Sequence, residues 1–496
     1  MNGVIWLIIL PLFAAFVLGL IEVFFDWKIE KLAFIVFTLQ WGLALFVVRE
    51  AFKEPIVYSL GSWHPEFGIN LVVDSFSAFM VLLISSLFLL VVFYSTAFIE
   101  QDREKYYELL LFLLAGSLGM VMTADLFNLY VFFEITSIAS YALIAINKSD
   151  YSIEGAFKYL ILGTIGGLFV LIGIVLTYQV TGSLSFGELA VEFREVSSGI
   201  RYTILGLYLV GFGVKAALIP LHAWLPDAYT EAFAPVSALS SAVVIKTALY
   251  SLMRIVYTLY GVDFIVATPL RSLFIYWGVA TFLIAHLLAY QQTSLRRLLG
   301  YSSIAQMGYI VIGVGVGTEQ GIIAANYHIL NHSVMKAALF LAAGIFTAAT
   351  GKYTIESLKG LGKKLPYISF FFTIAAFAII GLPPFNGFIS KWLIIQSALG
   401  ADYMIAGFMV LVGTVLSLTY YLKAIKLLYT TPNEEEAVEV ENKEVFSSLS
   451  WRLKLPAAVL SIFCFLLGVL PHFPLRILER TVSLIVNHYP ELLLGG

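Results

Sequence analysis

Apolar runs of about twenty residues recur along the whole chain, separated by short polar segments. Each run is long enough to cross about 30 Å of hydrocarbon as an α-helix. A membrane β-barrel would instead alternate apolar and polar positions over segments of roughly ten residues, and that alternation is absent from this sequence. We therefore predict an all-α polytopic membrane protein with about fourteen transmembrane helices. The predicted spans are 3–25, 31–49, 75–99, 107–124, 126–146, 155–180, 202–220, 234–259, 267–291, 301–317, 321–349, 367–398, 402–429 and 454–471.

The composition supports a membrane location. Of the 496 residues, 60% are hydrophobic and 12% are charged, and the mean hydropathy is +0.92. Soluble globular proteins carry about 25% charged residues, so this chain has too few polar side chains to cover a water-exposed surface. The first apolar run lacks a basic leading region and a small-residue cleavage site, and we interpret it as a retained helix rather than a signal peptide.

Basic residues are distributed unevenly between the two sides of the predicted bundle. One set of alternate loops holds about fourteen Lys and Arg residues and the opposite set about seven. Because basic residues concentrate in cytoplasmic loops, the first set is predicted to face the cytoplasm, with both termini outside. The acidic segment 431–450 is then a cytoplasmic loop, and the apolar stretch 475–486, too short to span, is expected along the interface. Trp224 and Tyr229, near span ends, are expected to be interfacial anchors.

Several ionisable side chains fall inside predicted spans. Glu134 lies in the fifth, Lys215 in the seventh, Lys246 in the eighth and Lys391 in the twelfth. Such a group near the bilayer centre costs at least roughly 2.5–3.5 kcal/mol, so it is usually paired or functional. One carboxylate cannot neutralise three lysines, which argues against a static salt bridge as the whole explanation. Burial favours the neutral amine and so suits a lysine to carry protons near neutral pH.

The eleventh predicted span adds His328, His332 and Lys336, which share one helical face because they are spaced four residues apart. Histidine titrates near neutral pH, as a proton relay requires. Two histidines at this spacing could also bind zinc, but no carboxylate of an HExxH motif lies between them. The single cysteine, Cys464, lies in an apolar run. We expect no metal ion and no cofactor in this chain.

Helix-breaking residues lie beside two of the lysines. They are Pro220 after the seventh-span lysine, and Pro383, Pro384 and Gly387 before the twelfth-span lysine. Proline in a helix interior frees backbone carbonyls, and transporters place ion sites at such breaks, although a plain packing kink is the alternative. Residues 156–161 also resemble 326–330 weakly, which suggests a duplication. Repeats offset by five helices would be inverted, since five is odd.

Four stretches together carry a family resemblance. They are FFE at 132–134, VKAALIPLHAWLPDA at 214–228, RRLLGYSSIAQMGY at 296–309 and GLPPFNGF at 381–388. The chain resembles, over roughly residues 70 to 430, the antiporter-like subunits shared by respiratory complex I, multisubunit cation/proton (Mrp) antiporters and membrane-bound hydrogenases. The resemblance implies fourteen helices with two inverted five-helix repeats and discontinuous helices 7 and 12. The implied divisions are 1–106 (helices 1–3), 107–260 (first repeat), 261–430 (second repeat) and 431–496 (loop, helix 14 and tail).

The resemblance also implies roles for individual residues. Glu134 and Lys215 match the family's interacting pair, and Lys246 matches its central connecting lysine. The implied translocation set is completed by His328, His332 and Lys336 on the eleventh helix and Lys391 on the twelfth, with Lys158 and His222 as candidate entrances for protons. A lysine rather than a glutamate at position 391 departs from one complex I branch and favours the D-type Mrp subunit or its hydrogenase-associated relatives.

The predicted function is proton translocation as one subunit of a multisubunit cation/proton antiporter in a prokaryotic plasma membrane. Its expected partners are other membrane subunits and the lipid bilayer, not nucleic acid, and no catalytic chemistry of its own is expected. Two alternatives stay open: the pumping module of a ferredoxin-driven respiratory complex, and a non-conducting structural subunit. Sodium conduction by this chain is disfavoured, because buried lysines repel cations and no carboxylate cluster offers oxygen ligands.

Overall fold

A computed structural model describes residues 3–24, 28–62, 68–431 and 450–487. Its helices are α1 (Gly3–Phe24), α2 (Ile29–Ala51), α3 (Ser75–Phe98), α4 (Arg103–Met122), α5 (Leu126–Ala145), α6 (Asp150–Thr181), α7 (Phe186–Glu192), α8 (Ser198–Lys215), α9 (Leu225–Glu231), α10 (Ala234–Leu239), α11 (Ile245–Ile255), α12 (Val262–Ala267), α13 (Leu270–Tyr290), α14 (Leu295–Val316), α15 (Glu319–Thr350), α16 (Leu361–Lys364), α17 (Pro366–Ile380), α18 (Asn386–Gly400), α19 (Met404–Tyr429), α20 (Trp451–Val469) and α21 (His472–Asn487). The π-helical segment Ser240–Val244 joins α10 to α11, and a second one, Val256–Tyr260, continues α11, so the helix runs without a break from 234 to 260.

Twelve helices in the described part of the chain are long and apolar enough to cross a membrane. The other two predicted spans, 202–220 and 367–398, fall on interrupted helices: α8 is followed by the short α9, and α17 by α18. The prediction of an all-α polytopic membrane protein is confirmed. The count of fourteen and the inverted repeats stay predictions. Most of the predicted cytoplasmic loop, residues 432–449, lies outside the described residues.

The segment between α2 and α3 forms a short antiparallel hairpin that the apolar pattern did not predict. Strand β1 (Ile56–Ser59) pairs with β2 (Asn70–Val73), with Ile56 opposite Val73. Beyond the last span, α21 packs against α15 and α3 and buries Leu478 and Val482. Its 16 residues make it shorter than a membrane-spanning helix needs.

A buried ion pair joins the beginning of α3 to the helix that carries Lys246. The Arg254 guanidinium in α11 lies 2.7 Å from the carboxylate of Asp74, and both side chains are 5% exposed. Asp74 is also the N-cap of α3, because its carboxylate accepts the Ser77 N–H at 2.8 Å. The guanidinium lies over the Phe76 ring, 5.4 Å from its centroid. These contacts fix α3 relative to α11.

Candidate functional site

Four lysines are buried in the interior of the helix bundle. Lys215, Lys246 and Lys336 are 0% exposed and Lys391 is 3% exposed. Among the described residues, no carboxylate lies within 4.0 Å of any of these four amines. Hydroxyl and carbonyl oxygens contact them instead. A fixed carboxylate partner would hold a lysine in its charged form, so these four side chains are not locked in one protonation state by an ion pair.

The first lysine lies where the seventh predicted span is interrupted. Lys215 is the last residue of α8. Its Nζ donates to the Ser137 hydroxyl of α5 at 2.5 Å. It also lies 5.1 Å from the ring centroid of Phe133 and 5.0 Å from that of Tyr159 in α6. The Tyr141 ring of α5 is 5.6 Å away by the same measure, so the amine occupies a cage formed by three helices, with one hydroxyl and three aromatic rings around it.

Trp224 and Tyr229 form the support of this cage rather than interfacial anchors. Both are buried, at 1% and 0% exposure, so the prediction that they anchor the chain at the interface was wrong. The indole of Trp224 stacks on Tyr159 with a centroid separation of 3.6 Å and an interplanar angle of 5°. Its Nε1 donates to the carbonyl of Val214 at 2.8 Å, which occupies an acceptor near the end of α8. The two aromatic residues thus stabilise the break from within the protein.

Glu134 lies on the outer face of α5 and does not form an ion pair with Lys215. The residue is half-buried and shares a helical stripe with Phe127, Val131 and Ile138, which are exposed. Its carboxylate packs against Gly167 of α6, where a Cβ atom would overlap with it. The Glu–Lys ion pair implied by the family resemblance is thus not formed in this structure, and the carboxylate lies between α5 and α6.

The second lysine is held by a π-helical turn. Lys246 follows the segment Ser240–Val244, and its Nζ donates to the carbonyl of Ser241 in that segment. Ser333 of α15 donates to the next carbonyl, that of Ala242, at 2.7 Å. π-Helical turns are rare and often occur at functional sites. Here the turn supplies acceptors to a buried amine and to the neighbouring helix.

The predicted polar face of α15 is buried against α14 and α18. His328 is hydrogen-bonded at both ring nitrogens, with Nδ1 2.9 Å from the Ser390 hydroxyl and Nε2 3.0 Å from Gln306 Oε1. The His332 ring lies nearly parallel to that of His328, with centroids 6.2 Å apart. Neither nitrogen of His332 has a hydrogen-bond partner among the described residues. Lys336, one turn further, donates to the Leu299 carbonyl of α14 at 2.8 Å.

The fourth lysine lies at the second helix break. Lys391 in α18 donates to the carbonyls of Ile379 and Ile380 at 3.2 and 2.8 Å. These are the last two residues of α17, whose carbonyls have no partner within their own helix. The carboxyl end of a helix carries partial negative charge, which stabilises a nearby cation. Gly387 allows this geometry, because a Cβ atom there would overlap with the carbonyl of Ala378 across the break.

The two candidate entrances differ in their surroundings. Lys158 is partly exposed and pairs with Glu154 and Asp227, both at 2.7 Å. Arg297 of α14 contacts the same Asp227 at 3.1 Å, so this carboxylate joins α6, α9 and α14 at the surface. His222 is half-buried in the segment between α8 and α9. Lys158 therefore lies at the rim of the structure, and His222 lies nearer the first break.

Residues 123–417, more than half of the chain, match the protein family described as NADH:quinone oxidoreductase/Mrp antiporter, TM. The chain belongs to this family. The resemblance noted in the sequence is thereby confirmed, and the chain is an antiporter-like membrane subunit of the kind found in Mrp and complex I-like complexes.

Relatives of this antiporter-like subunit come from both branches of the family. It is 36% identical over 412 residues to the N-type subunit of the NADH-quinone oxidoreductase of Desulforudis audaxviator, covering 82% of each chain. It is 34% identical over 420 residues to the D-type subunit of the Na(+)/H(+) antiporter of Alkalihalophilus pseudofirmus, covering 82% of this chain and 84% of the relative.

Similar solved structures likewise include a chain of a respiratory complex and a chain of an Mrp complex. A chain of the membrane-bound sulfane sulfur reductase, an archaeal respiratory membrane complex, superposes with a TM-score of 0.90 at 32% identity, covering 99% of this chain and 100% of that one. A chain of the Mrp complex from Dietzia sp. superposes with a TM-score of 0.88 at 26% identity over the full length of both.

Sequence reasoning missed several polar residues of this antiporter-like subunit. Gln306 and Ser390 hold His328, and a further buried histidine, His286 of α13, contacts two tyrosine hydroxyls. Each is a single polar residue in an apolar run, with partners far away in the sequence, so no local pattern marked it. Within the described residues, no group of three or more His, Cys, Asp or Glu side chains could hold a metal ion.

Proposed function

We propose that this antiporter-like subunit translocates protons within a multisubunit cation/proton antiporter. The proposed line consists of Glu134, Lys215, Lys246, His328, His332, Lys336 and Lys391. The observation that carries the proposal is the set of four buried lysines with neutral partners. An amine in an apolar interior without a counter-ion changes protonation readily, whereas an amine that served only to tie helices together would have a carboxylate partner.

The proposed path enters at the first break and leaves at the second. Protons reach Lys215 from the cytoplasmic side past His222, with the Lys158 cluster at the rim. They pass laterally through Lys246 and the polar face of α15 to Lys391. Both breaks bring a lysine to the end of a helix, where carbonyl and hydroxyl oxygens can hold the ammonium form transiently.

Glu134 acts on this path as a switch. When its carboxylate approaches Lys215, the ion pair favours the protonated amine; when it withdraws, burial favours release of the proton. In this scheme, an arrangement without the Glu134–Lys215 ion pair is the release state. Val131 and Ile138 on the same stripe of α5 are exposed, so a neighbouring subunit that covers this stripe is well placed to move the Glu134 carboxylate.

The proposal includes other membrane subunits as partners. The related structures are chains of multisubunit membrane complexes, and we infer that this chain assembles with other membrane subunits in a prokaryotic plasma membrane. Both termini are proposed to face outward, with residues 107–260 and 261–430 as two inverted repeats. Sodium, where it is exchanged, is assigned to other subunits.

A second candidate function is the pumping module of a redox-driven respiratory complex. Two observations favour it: the sulfane sulfur reductase chain has a higher identity and TM-score than the Mrp chain, and a quinone oxidoreductase subunit is 36% identical. In that case the same relay would be driven by electron transfer in a partner subunit.

The test uses the native complex, purified through a tag on this chain and reconstituted in liposomes with a pH-sensitive dye inside. An imposed sodium gradient is expected to move protons with the wild-type complex and with Lys426→Ala, an exposed control. Lys215→Ala and Lys391→Ala are expected to lower the rate at least about tenfold, as loss of a general acid–base group does. Full transport by Lys215→Ala would overturn the relay. Proton movement with a reductant but not with sodium, in a complex containing iron, would favour the second candidate.

A further inference from the structure

A histidine that is not among the proposed translocation residues has contacts that lead to two of them, Lys336 and Lys391. His286 in α13 is completely buried. Its Nδ1 lies 3.0 Å from the hydroxyl of Tyr420 in α19, and its Nε2 lies 2.9 Å from the hydroxyl of Tyr309 in α14. A neutral imidazole donates at one nitrogen and accepts at the other. The ring therefore joins the two hydroxyl groups without a gap.

The contacts continue from Tyr420 towards Lys336. The Tyr420 hydroxyl interacts with the hydroxyl of Ser302 in α14, and its ring lies beside that of Tyr421, with centroids 4.8 Å apart. The Tyr421 hydroxyl is 2.8 Å from the Ser302 hydroxyl and accepts a hydrogen bond from Lys336 Nζ at 3.3 Å. Polar side chains of α13, α14, α15 and α19 thus converge on this part of the bundle.

The contacts on the other side lead to Lys391. Its Nζ lies over the Tyr309 ring, 5.1 Å from the ring centroid. A proton passing between this amine and the Tyr309 hydroxyl would be carried by a bridging water. The ring of His328 lies 5.7 Å from the same tyrosine. Tyr309 therefore lies where the route through His328 and the contacts of His286 come together.

The direct route along α15 passes through His332. Neither ring nitrogen of His332 has a partner among the described side chains or backbone groups, so a proton would need water on both sides of it. Both ring nitrogens of His286, in contrast, are hydrogen-bonded to protein hydroxyl groups. A fully hydrogen-bonded imidazole between two hydroxyls is a suitable carrier, because it can accept a proton at one nitrogen while releasing one at the other.

We propose that His286, with Tyr309 and Tyr420, forms a second proton-conducting branch between Lys336 and Lys391; this rests on the proposed function. In one passage, Tyr420 gives its hydroxyl proton to one nitrogen and regains a proton from the Lys336 ammonium through the hydroxyls of Tyr421 and Ser302. The proton on the other nitrogen moves to the Tyr309 oxygen, and the Tyr309 hydroxyl proton passes through a water to the Lys391 amine. One proton enters and one leaves, and return of the ring to its first tautomer restores the branch.

The experiment compares His286→Gln, His332→Ala and the double variant in the reconstituted complex. Glutamine keeps hydrogen-bonding groups but cannot carry a proton, so a purely structural role of His286 would be preserved. If the branches run in parallel, each single variant lowers the proton rate only partly, by roughly twofold for equal flux. The double variant falls at least about tenfold below the product of the two single effects, since neither branch remains.

Tyr309→Phe provides a second test that keeps the ring and removes only the hydroxyl. It is expected to reproduce the rate of His286→Gln and the same sensitivity to His332→Ala. His472→Gln, at an exposed histidine, is the matched control. The branch is rejected if His286→Gln and Tyr309→Phe leave both the rate and the effect of His332→Ala unchanged while Lys215→Ala abolishes transport. Full transport by Lys215→Ala would instead reject the proposed function itself.

Discussion

Replacement of Arg254 tests how strongly one buried ion pair fixes the helix that carries Lys246. In Arg254→Gln, the carboxylate of Asp74 stays 5% exposed without its guanidinium partner. Breaking a buried ion pair from one side costs about 3–5 kcal/mol, because it leaves an uncompensated charge. Asp74 keeps two hydrogen bonds from Ser77, at 2.8 and 2.9 Å, which places the expected loss near the lower end, about 3 kcal/mol. That loss corresponds to about a hundredfold change in the unfolding equilibrium.

The double variant Asp74→Asn with Arg254→Gln separates charge from packing. It removes both charges and keeps an N-cap oxygen, so it is expected to be more stable than Arg254→Gln alone. The measurement is the unfolding midpoint of the purified complex in detergent, followed by tryptophan fluorescence. A loss below about 1 kcal/mol for Arg254→Gln, or a double variant no more stable than the single one, would refute the reasoning.

The same pair gives a pH dependence with a defined sign. Burial raises the pKa of Asp74, but the charge and hydrogen bond of Arg254 outweigh it and leave the pKa below its ordinary value. The stabilisation is thus fully present above the ordinary carboxyl pKa and is lost as the pH falls through the lowered folded value. The wild-type complex should lose more stability on acidification than the double variant.

Three further substitutions test other contacts. Gly387→Ala should lower proton transport severalfold without abolishing assembly, because its methyl group pushes α18 away from α17 and displaces Lys391; transport and assembly are measured on the same preparation. Trp224→Phe keeps an aromatic ring but loses the hydrogen bond to Val214, so the melting midpoint should fall by the equivalent of about 1 kcal/mol. Asp227→Asn weakens exposed ion pairs and should change stability by less than about 1 kcal/mol, as a thermal melt would show.

The apolar pattern predicted the spans closely, because the length of an uninterrupted apolar run is set by the bilayer. The predicted span 126–146 corresponds to Leu126–Ala145, and 402–429 corresponds to Met404–Tyr429. The hairpin after α2 was missed because its strands are four residues each and lie outside any long apolar run. At the seventh span the helix ends at Lys215, five residues before the proline that marked the break, and resumes only at Leu225.

The buried charges could be found from the sequence because an ionisable residue in an apolar run is conspicuous. The groups that they contact could not be predicted from the sequence. The carbonyl partners of Lys391 are backbone groups of another helix, and the burial of Trp224 depends on its stacking on Tyr159. His286 is a single histidine in an apolar run, and its partners lie 23 and 134 residues away. Contacts of this kind become visible only when the helices are placed side by side.

The π-helical turn at Ser240–Val244 makes the number of residues in this helix, as well as their identity, a property of the site. A π turn closes its hydrogen bonds over five residues where an α turn uses four, so it accommodates one additional residue. Deleting a single residue there would return the turn to α spacing and leave the flanking turns facing the same neighbours. The Ser241 carbonyl that now accepts from Lys246 would be engaged by the backbone ladder. A one-residue insertion into a regular helix is thus a simple evolutionary origin for this lysine site, and its reversal would remove the site while preserving the fold.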